Sequence, residues 1–330
     1  GPALAAAVVV LLAAVRSAAA VDVDTILRAH LANTTNVLHP PAYSPGGKPV
    51  NVSVQVNVIS LTRVDELSST AVFTIFHRTS WTDPRLDVPE LFEGNSVLQA
   101  EGVSLLGLQD DPDTYPVWVP DTYFTNAVDR IDEGELSETG RLLNLFPGGF
   151  LFFSRFEAWS FLQERLDLRE FPEDTQDFEF NVGSYGYSTN MLRLQPLELG
   201  TANLEENPLW EFTGRTKFDL RTDFFFGSGQ RLGYDVVQYR IQFARRSESY
   251  IIQHIIPVTV LMFFVSAIFW LRDNGSADRL HLSVTLLLTL AALTFVVTEG
   301  IPKVDYTTKT TEFVLFGFFL LFGSSCLHIV

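Results

Sequence analysis

Residues 278–299, DRLHLSVTLLLTLAALTFVVTE, constrain this chain more than any other stretch. As a helix they extend ~33 Å, enough to cross the hydrocarbon layer of a bilayer. Asp278, His281, Thr285, Leu288, Ala292, Phe295 and Glu299 follow one another in alternating steps of three and four. All seven therefore share one helical face. That face carries an acid at each end, a histidine and a threonine near one end, and apolar side chains between them. A helix that meets only lipid has no use for such a stripe, because polar groups within a span face protein or a water-filled path. Two readings are open on these residues alone. One is a buried span with small polar packing residues. The other is one of several copies around an axis, forming a path with charged mouths and an apolar constriction.

Composition narrows what can surround this helix. The chain has 330 residues, 47% of them hydrophobic and 19% charged, and a formal net charge of −16. Most of the acids precede residue 250, which argues against nucleic acid as a partner. An acidic surface leading to a pore would instead enrich cations. The single cysteine, Cys326, rules out a disulfide within the chain and a thiolate zinc site. With no H-E-x-x-H, G-x-S-x-G or glycine-rich phosphate loop, neither an enzyme nor a cofactor is expected. Residues 1–20, GPALAAAVVVLLAAVRSAAA, read as a signal peptide, which would put the following domain outside the cytosol.

From about 50 to 245 the pattern is β. Val50 to Ile59 alternates apolar and polar residues, as a half-buried strand does. After a turn at Val64-Asp65-Glu66, Thr70 to Phe76 continues the pattern. Further β-rich runs fall near 97–106, 141–145, 150–161, 176–182, 190–198, 215–220 and 235–245. About ten short strands separated by glycine and proline breaks predict an all-β, immunoglobulin-like antiparallel sandwich over 21–249. One short helix is expected over 24–32. An α-helical transmembrane bundle follows over 250–330, with helices at about 250–271, 278–299 and 311–330. The first contains Pro257, which spans tolerate where neighbours satisfy the freed carbonyl.

Three motifs then carry a family resemblance. WTDPRL at Trp81 to Leu86, WVPDTYF at Trp118 to Phe124 and FPEDTQDF at Phe171 to Phe178 stand in this order before a proline-containing span and a polar-striped span ending in EGIPK. The set resembles the pentameric ligand-gated ion channels, the superfamily of nicotinic, glycine and GABA receptors and their bacterial relatives. The resemblance runs from about residue 22 to 330. Animal members bridge a cysteine before the F-P-x-D-x-Q segment to one after it. Glu164 and Phe178 occupy those positions here, as in bacterial-type members that lack the bridge. The family also carries a fourth membrane helix, which these 330 residues do not include.

The resemblance implies a site between neighbouring subunits of a homo-oligomer, a pentamer. Tyr185, Phe226 and Tyr234 would belong to one face, with Thr125 at a position without an aromatic ring. Phe76 and Arg78, joined by Phe153 and Arg155, would form the opposite face. An arginine there grips a carboxylate with two hydrogen bonds. An amino-acid-like agonist would suit such a site, and protons are the alternative agonist. The resemblance further assigns coupling to Glu66, Phe171, Pro172 and Asp174 in loops at the membrane end of the sandwich, meeting Arg245, Pro302 and Lys303. It makes the 278–299 stripe the pore lining, with Leu288, Ala292 and Phe295 as a gate. His281 would lie at the constriction, where zinc could bridge imidazoles and block, although no resident metal is expected.

Two function classes follow. The first is a ligand-gated ion channel, multi-pass in the cell membrane and in contact with its lipid, with a large extracellular amino-terminal domain. The second is a membrane-anchored binding protein that does not conduct. The polar stripe favours the first, because an anchor needs no Asp278, His281 or Thr285. Acids at both mouths predict permeant cations. Anion-selective members of the family carry a proline–alanine pair just before the pore helix, whereas Ser276-Ala277 has no proline.

Overall fold

The computed structural model describes residues 23–34, 37–43, 47–108, 115–131, 140–164, 166–227, 230–268, 276–299 and 304–327. The leader segment 1–20, Pro302 and Lys303 lie outside them. Among the described residues, an amino-terminal helix, Val23–Asn33, is followed by eleven strands in two sheets. One sheet holds β3 (Val103–Ser104), β6 (Arg141–Phe146), β7 (Phe150–Leu162), β2 (Thr70–Thr82), β1 (Val50–Asp65) and β9 (Leu192–Pro196) in that order, with β5 (Ala127–Ile131) pairing β7. The other holds β10 (Trp210–Gly227), β11 (Gln230–Arg245), β8 (Thr175–Ser184) and β4 (Thr122–Phe124). Apart from the parallel β1–β9 pair, the strands run antiparallel.

The alternation in β1 shows how sequence becomes layer. Val50, Val52, Val54, Val56 and Val58 are buried between the sheets, while Asn51, Ser53, Gln55 and Asn57 turn away. Successive side chains on a strand take opposite faces, so this pattern permits one register only. At the centre of the core, Phe73 is fully buried and meets four rings edge-on or tilted: Phe180 at 4.9 Å, Phe178 at 5.5 Å, Phe243 at 6.1 Å and Phe161 at 6.3 Å. Such pairs add to the area term. The one phenol buried this deeply, Tyr239, donates to the Val54 carbonyl across the core at 2.6 Å, and burial raises its pKa.

The structure shifts several expected boundaries. The run near 97–106 is mostly helix, Ser96–Glu101, with only Val103–Ser104 extended. Asn95 starts that helix, its side chain accepting from the Val97 and Leu98 N–H groups, a capping signal that the apolar count passed over. β1 continues through Asp65, and the turn falls after it. There the Asp65 carboxylate accepts from Ser68 and Leu67 N–H, and these bonds lower its pKa. The runs near 215–220 and 235–245 belong to a much longer hairpin, β10–β11.

Three helices follow: α1 (Ile256–Ile268), α2 (Ser276–Glu299) and α3 (Lys309–Leu327). Ahead of α1, a short turn at Glu248–Tyr250 passes into a π-helical turn, Ile251–Ile255. The wide turn lies directly before Pro257, whose ring would otherwise meet the preceding carbonyls of a regular helix. Among the described residues, two stretches, Glu248–Val265 and Ala277–Phe295, are long and apolar enough to cross a membrane. Val258, Val265, Leu290, Val314 and Leu321 form the core common to the three helices. Gly317 lies at their crossing: a Cβ there would come within 2.5 Å of the Met262 side chain and 3.4 Å of Leu290.

Truncating Phe73 to alanine leaves four rings facing a void. Phe73→Ala is expected to cost ~3–5 kcal/mol, read as a lowered denaturation midpoint. An unchanged midpoint would remove Phe73 from the centre of the core.

Candidate functional site

A cleft of about 360 Å³ opens on the sandwich surface, lined by Tyr123, Thr125, Gly183, Ser184, Tyr185, Asp223, Phe225, Tyr234 and Val236. Three segments build it. The first is the end of the W-x-P-D motif, where β4 presents Tyr123. The second is the turn after β8, which presents Tyr185. Asp121, the motif's aspartate, holds that turn: one carboxylate oxygen accepts from the Ser184 hydroxyl at 2.5 Å and the other from Gly186 N–H at 2.6 Å. Gly183 lets Thr125 approach, since a Cβ there would sit 3.1 Å from the threonine methyl. Tyr123 and Tyr185 meet edge-on at 6.2 Å. The third segment is the β10–β11 hairpin, where Phe225 and Tyr234 meet edge-on at 5.8 Å. Tyr185 is 82% exposed and Phe225 61%, so the rings are offered to solvent rather than packed.

Of the residues expected on this face, the structure brings Thr125, Tyr185 and Tyr234 together. Phe225 lines the cleft as well, and the side chain of Phe226 lies outside those described. Asp223 pairs with Tyr234 and Phe225 with Leu232, so alternation assigns the cleft side of β10 to odd-numbered residues. Tyr123 and Asp223 were missed. Tyr123 was legible as the exposed position of β4, next to Phe124 in the core.

The other expected face divides in two. Phe76 and Arg78 lie on the outer side of β2, with the Arg78 guanidinium 5.2 Å from the Phe76 ring centre. The partly buried Arg78 has its pKa lowered by burial, and its Nε has no hydrogen-bond partner. Phe153 and Arg155 do not join them. The register places Arg155 opposite His77 and Phe153 opposite Thr79, on the inner side, whereas Arg78 faces Ser154 and Phe76 faces Phe156. Arg155 donates to His77 Nδ1 at 2.6 Å and to the Thr122 carbonyl at 2.9 Å, and lies 3.7 Å from the buried Glu157. Since guanidinium can only donate, Nδ1 of His77 accepts. Burial first, and the Arg155 charge second, hold the His77 pKa well below its ordinary value.

At the opposite end of the sandwich the chain passes into the helices. Arg245, the last residue of β11, donates from Nε to Asp174 at 2.7 Å and from Nη1 to Glu66 at 2.8 Å. Its guanidinium also lies over Trp210 at 4.3 Å and Phe171 at 5.0 Å. Burial opposes the Arg245 charge, but hydrogen bonds and charge from Asp174 and Glu66 outweigh it and raise its pKa. Gln176 donates to the other Asp174 oxygen at 2.6 Å. The Phe171-Pro172 peptide is cis, and the loop holding it reaches the helices. Leu168 N–H donates to the Tyr306 hydroxyl at 2.9 Å, Thr310 donates to the Phe171 carbonyl at 3.0 Å, and Lys309 pairs with Glu170. Tyr306, Lys309 and Thr310, carrying no motif, were not foreseen.

The loop from β7 to β8 closes without a disulfide. Phe178 points into the core against Phe73, Trp210 and Phe243, and Glu164 is exposed. Side chains replace the bridge: Gln163 accepts from Glu179 N–H at 2.8 Å, and Asn126 donates to the Leu162 and Glu179 carbonyls at 3.1 and 2.9 Å.

On α2, Ser283 and Leu290 are buried against the other helices, with Leu286 and Leu287 packed alongside. Asp278, His281, Thr285, Leu288, Ala292 and Phe295 lie on the other side, all exposed, with Leu288 at 71% and Phe295 at 78%. Glu299 ends the helix, its side chain outside those described. Among the described residues no cluster of metal-ligating side chains occurs.

An aromatic cleft on a two-sheet sandwich, joined through an arginine–carboxylate junction to apolar helices, is the architecture of a receptor domain. The family model for the neurotransmitter-gated ion-channel ligand binding domain matches residues 24–247. The chain belongs to the neurotransmitter-gated ion-channel family, whose members are channels rather than enzymes. It is 28% identical over 284 residues to the gamma-aminobutyric acid receptor subunit theta of Mus musculus, covering 84% of this chain and 41% of that protein. To the gamma-4 subunit of Gallus gallus it is 29% identical over 314 residues, 92% of this chain and 62% of the relative. To the glycine receptor subunit beta of Rattus norvegicus it is 27% identical over 300 residues, 88% and 57%. The chain thus spans 41% to 62% of the length of these relatives.

Removing Arg245 leaves the buried Asp174 without its cation. Arg245→Ala is expected to cost ~3–5 kcal/mol and to reduce surface expression. Asp174→Ala with Arg245→Ala should cost less than the sum of the single changes, because they share one interaction. Full additivity in denaturation measurements would show that the pair does not couple.

Proposed function

We propose that the chain is a subunit of a pentameric ligand-gated ion channel in the cell membrane. The sandwich is extracellular, the cleft binds a small-molecule agonist between subunits, and α2 lines the pore. The observation that carries this reading is the exposed stripe on α2, on the side away from the helix core. In a single subunit the described side chains of the stripe are exposed and face away from the helix core, whereas around an axis they form a lined path. The junction of Arg245, Asp174 and Glu66 with the loop reaching Tyr306 and Thr310 supplies the route from cleft to pore. Both ends then bias one two-state assembly. Closure of the β7–β8 loop without a disulfide supports kinship with bacterial-type members in this one respect.

Cation selectivity rests on Asp278, Glu299 and the Ser276-Ala277 pair. The likeness to gamma-aminobutyric acid and glycine receptor subunits lends it no support. Voltage-clamp of cells expressing the chain tests it: agonist-evoked current should reverse with the sodium or potassium gradient, and Asp278→Ala should weaken that preference. A reversal potential that follows chloride would overturn the assignment. Leu288 is the proposed apolar gate, a ring that excludes ions by dewetting.

The agonist we propose is amino-acid-like, its carboxylate held by Arg78 over Phe76. A charge-assisted contact is worth ~1.5–3 kcal/mol, roughly ten- to a hundredfold in affinity. In a screen of amino acids that includes γ-aminobutyric acid and glycine, Arg78→Ala should move the dose–response curve by that factor with unitary current unchanged. A response at wild-type concentrations would remove the carboxylate grip.

A further inference from the structure

Away from the cleft, β10 has a long open edge. Among the described residues it pairs with β11 alone and ends its sheet. From Thr216 to Phe226 that pairing runs without a register shift, so the strand is regular there. Lys217 to Thr222 are all exposed. An exposed edge is a template for another strand, and charges placed on it commonly keep other strands away. The charges here follow a narrower pattern. Lys217, Asp219, Arg221 and Asp223 share one face of the strand and alternate in sign. The other face carries Phe218, Leu220 and Phe224, which are 42%, 48% and 54% exposed. An edge designed only to stay solvated has no use for that apolar row.

We propose that β10 docks on β10 of a second copy of this chain, the two strands pairing antiparallel about a two-fold axis at Leu220. This register sets Lys217 opposite Asp223 and Asp219 opposite Arg221, so every charge of the row meets the opposite sign. On the other face Leu220 meets its own copy, Phe218 meets Thr222 and Phe224 meets Thr216, which covers the apolar row. The register is unique in this. An axis at Asp219 sets that carboxylate against itself, and an axis at Arg221 sets two guanidinium groups together. A two-fold axis along the strands turns the second copy's faces over and builds no continuous sheet. β10 starts at the helix end, where Trp210 pairs with Arg245. Antiparallel copies therefore send their helices in opposite directions, and the contact joins chains held in two facing membranes. It is separate from ring closure, which pairs two different faces of each subunit, whereas here one strand pairs with itself.

The full chain reconstituted in neutral phosphatidylcholine vesicles tests this by light scattering. At physiological salt, where repulsion between acidic sandwiches is screened beyond ~8 Å, wild type should cluster the vesicles. Asp219→Arg and Arg221→Asp each set like charges opposite each other twice per contact and should each reduce clustering roughly tenfold or more. The double change exchanges the two signs, restores every opposition and should restore clustering, a recovery that a folding defect cannot imitate. Cross-linking checks the axis. In a Cys326→Ser background, Leu220→Cys chains carrying different tags in separate vesicles should be joined by a short bismaleimide after mixing. Phe224→Cys, ~27 Å from its copy in this register, should not. Wild-type vesicles that stay dispersed, single changes that cluster like wild type, a double change that fails to restore clustering, or Phe224→Cys linking as readily as Leu220→Cys would each overturn the pairing. Links formed only between chains of one vesicle would overturn the facing arrangement.

Discussion

The structure depends on how one arginine is held. Arg245 is shared by two carboxylates that reach it from residues 66 and 174, and it is covered by the rings of Trp210 and Phe171. A guanidinium removed from water has a large solvation deficit, offset only where geometry and partners are complete. Here they are complete. Two acids, two rings and the Gln176 amide on Asp174 leave few alternative arrangements of equal energy. The loop carrying Asp174 is the one that reaches Tyr306 and Thr310, and Arg245 lies three residues before the turn leading into α1. Sandwich and helices are therefore tied by the chain itself and by a loop whose position the same arginine fixes.

A second buried polar group supports the cleft from behind. Arg155 joins His77, Glu157 and the Thr122 carbonyl, and Thr122 immediately precedes Tyr123 in β4. On the cleft side, Asp121 fixes the turn that presents Tyr185. Tyr123 thus stands between two anchored backbone segments. The rings are exposed while the backbone that carries them is pinned, the preorganisation that a binding surface requires.

Much of the fold was legible because β periodicity and burial coincide. The alternating valines of β1 declared their layer, and the polar stripe of α2 declared a face that the helix core leaves open. Legibility failed where an interaction is not periodic. The helix at Ser96–Glu101 starts from a single side-chain cap. Tyr306, Lys309 and Thr310 meet the sandwich through contacts more than a hundred residues apart in sequence, which no local pattern announces. Within the cleft, motifs located Thr125, Tyr185 and Tyr234 but passed over Tyr123, Asp223 and Phe225. Which residues of β10 face the cleft is a matter of strand parity, set by pairing across the hairpin. The same parity sent Arg155 inward while Arg78 stayed out.

Parity also limits how this hairpin can vary. The cleft side of β10 carries Arg221, Asp223 and Phe225, and the positions between them are Thr222 and Phe224. A single-residue insertion in β10 below the cleft would exchange these two sets, putting a threonine where the acid stands. It would also detach Thr222 from Asp235, whose other carboxylate oxygen accepts from Leu194 N–H and ties the hairpin back to β9. Inserting two residues would restore the original faces and lengthen the hairpin by one step of the ladder. Changes in the length of this strand are therefore expected to survive in even numbers, with the charge of the cleft as the property that odd numbers destroy.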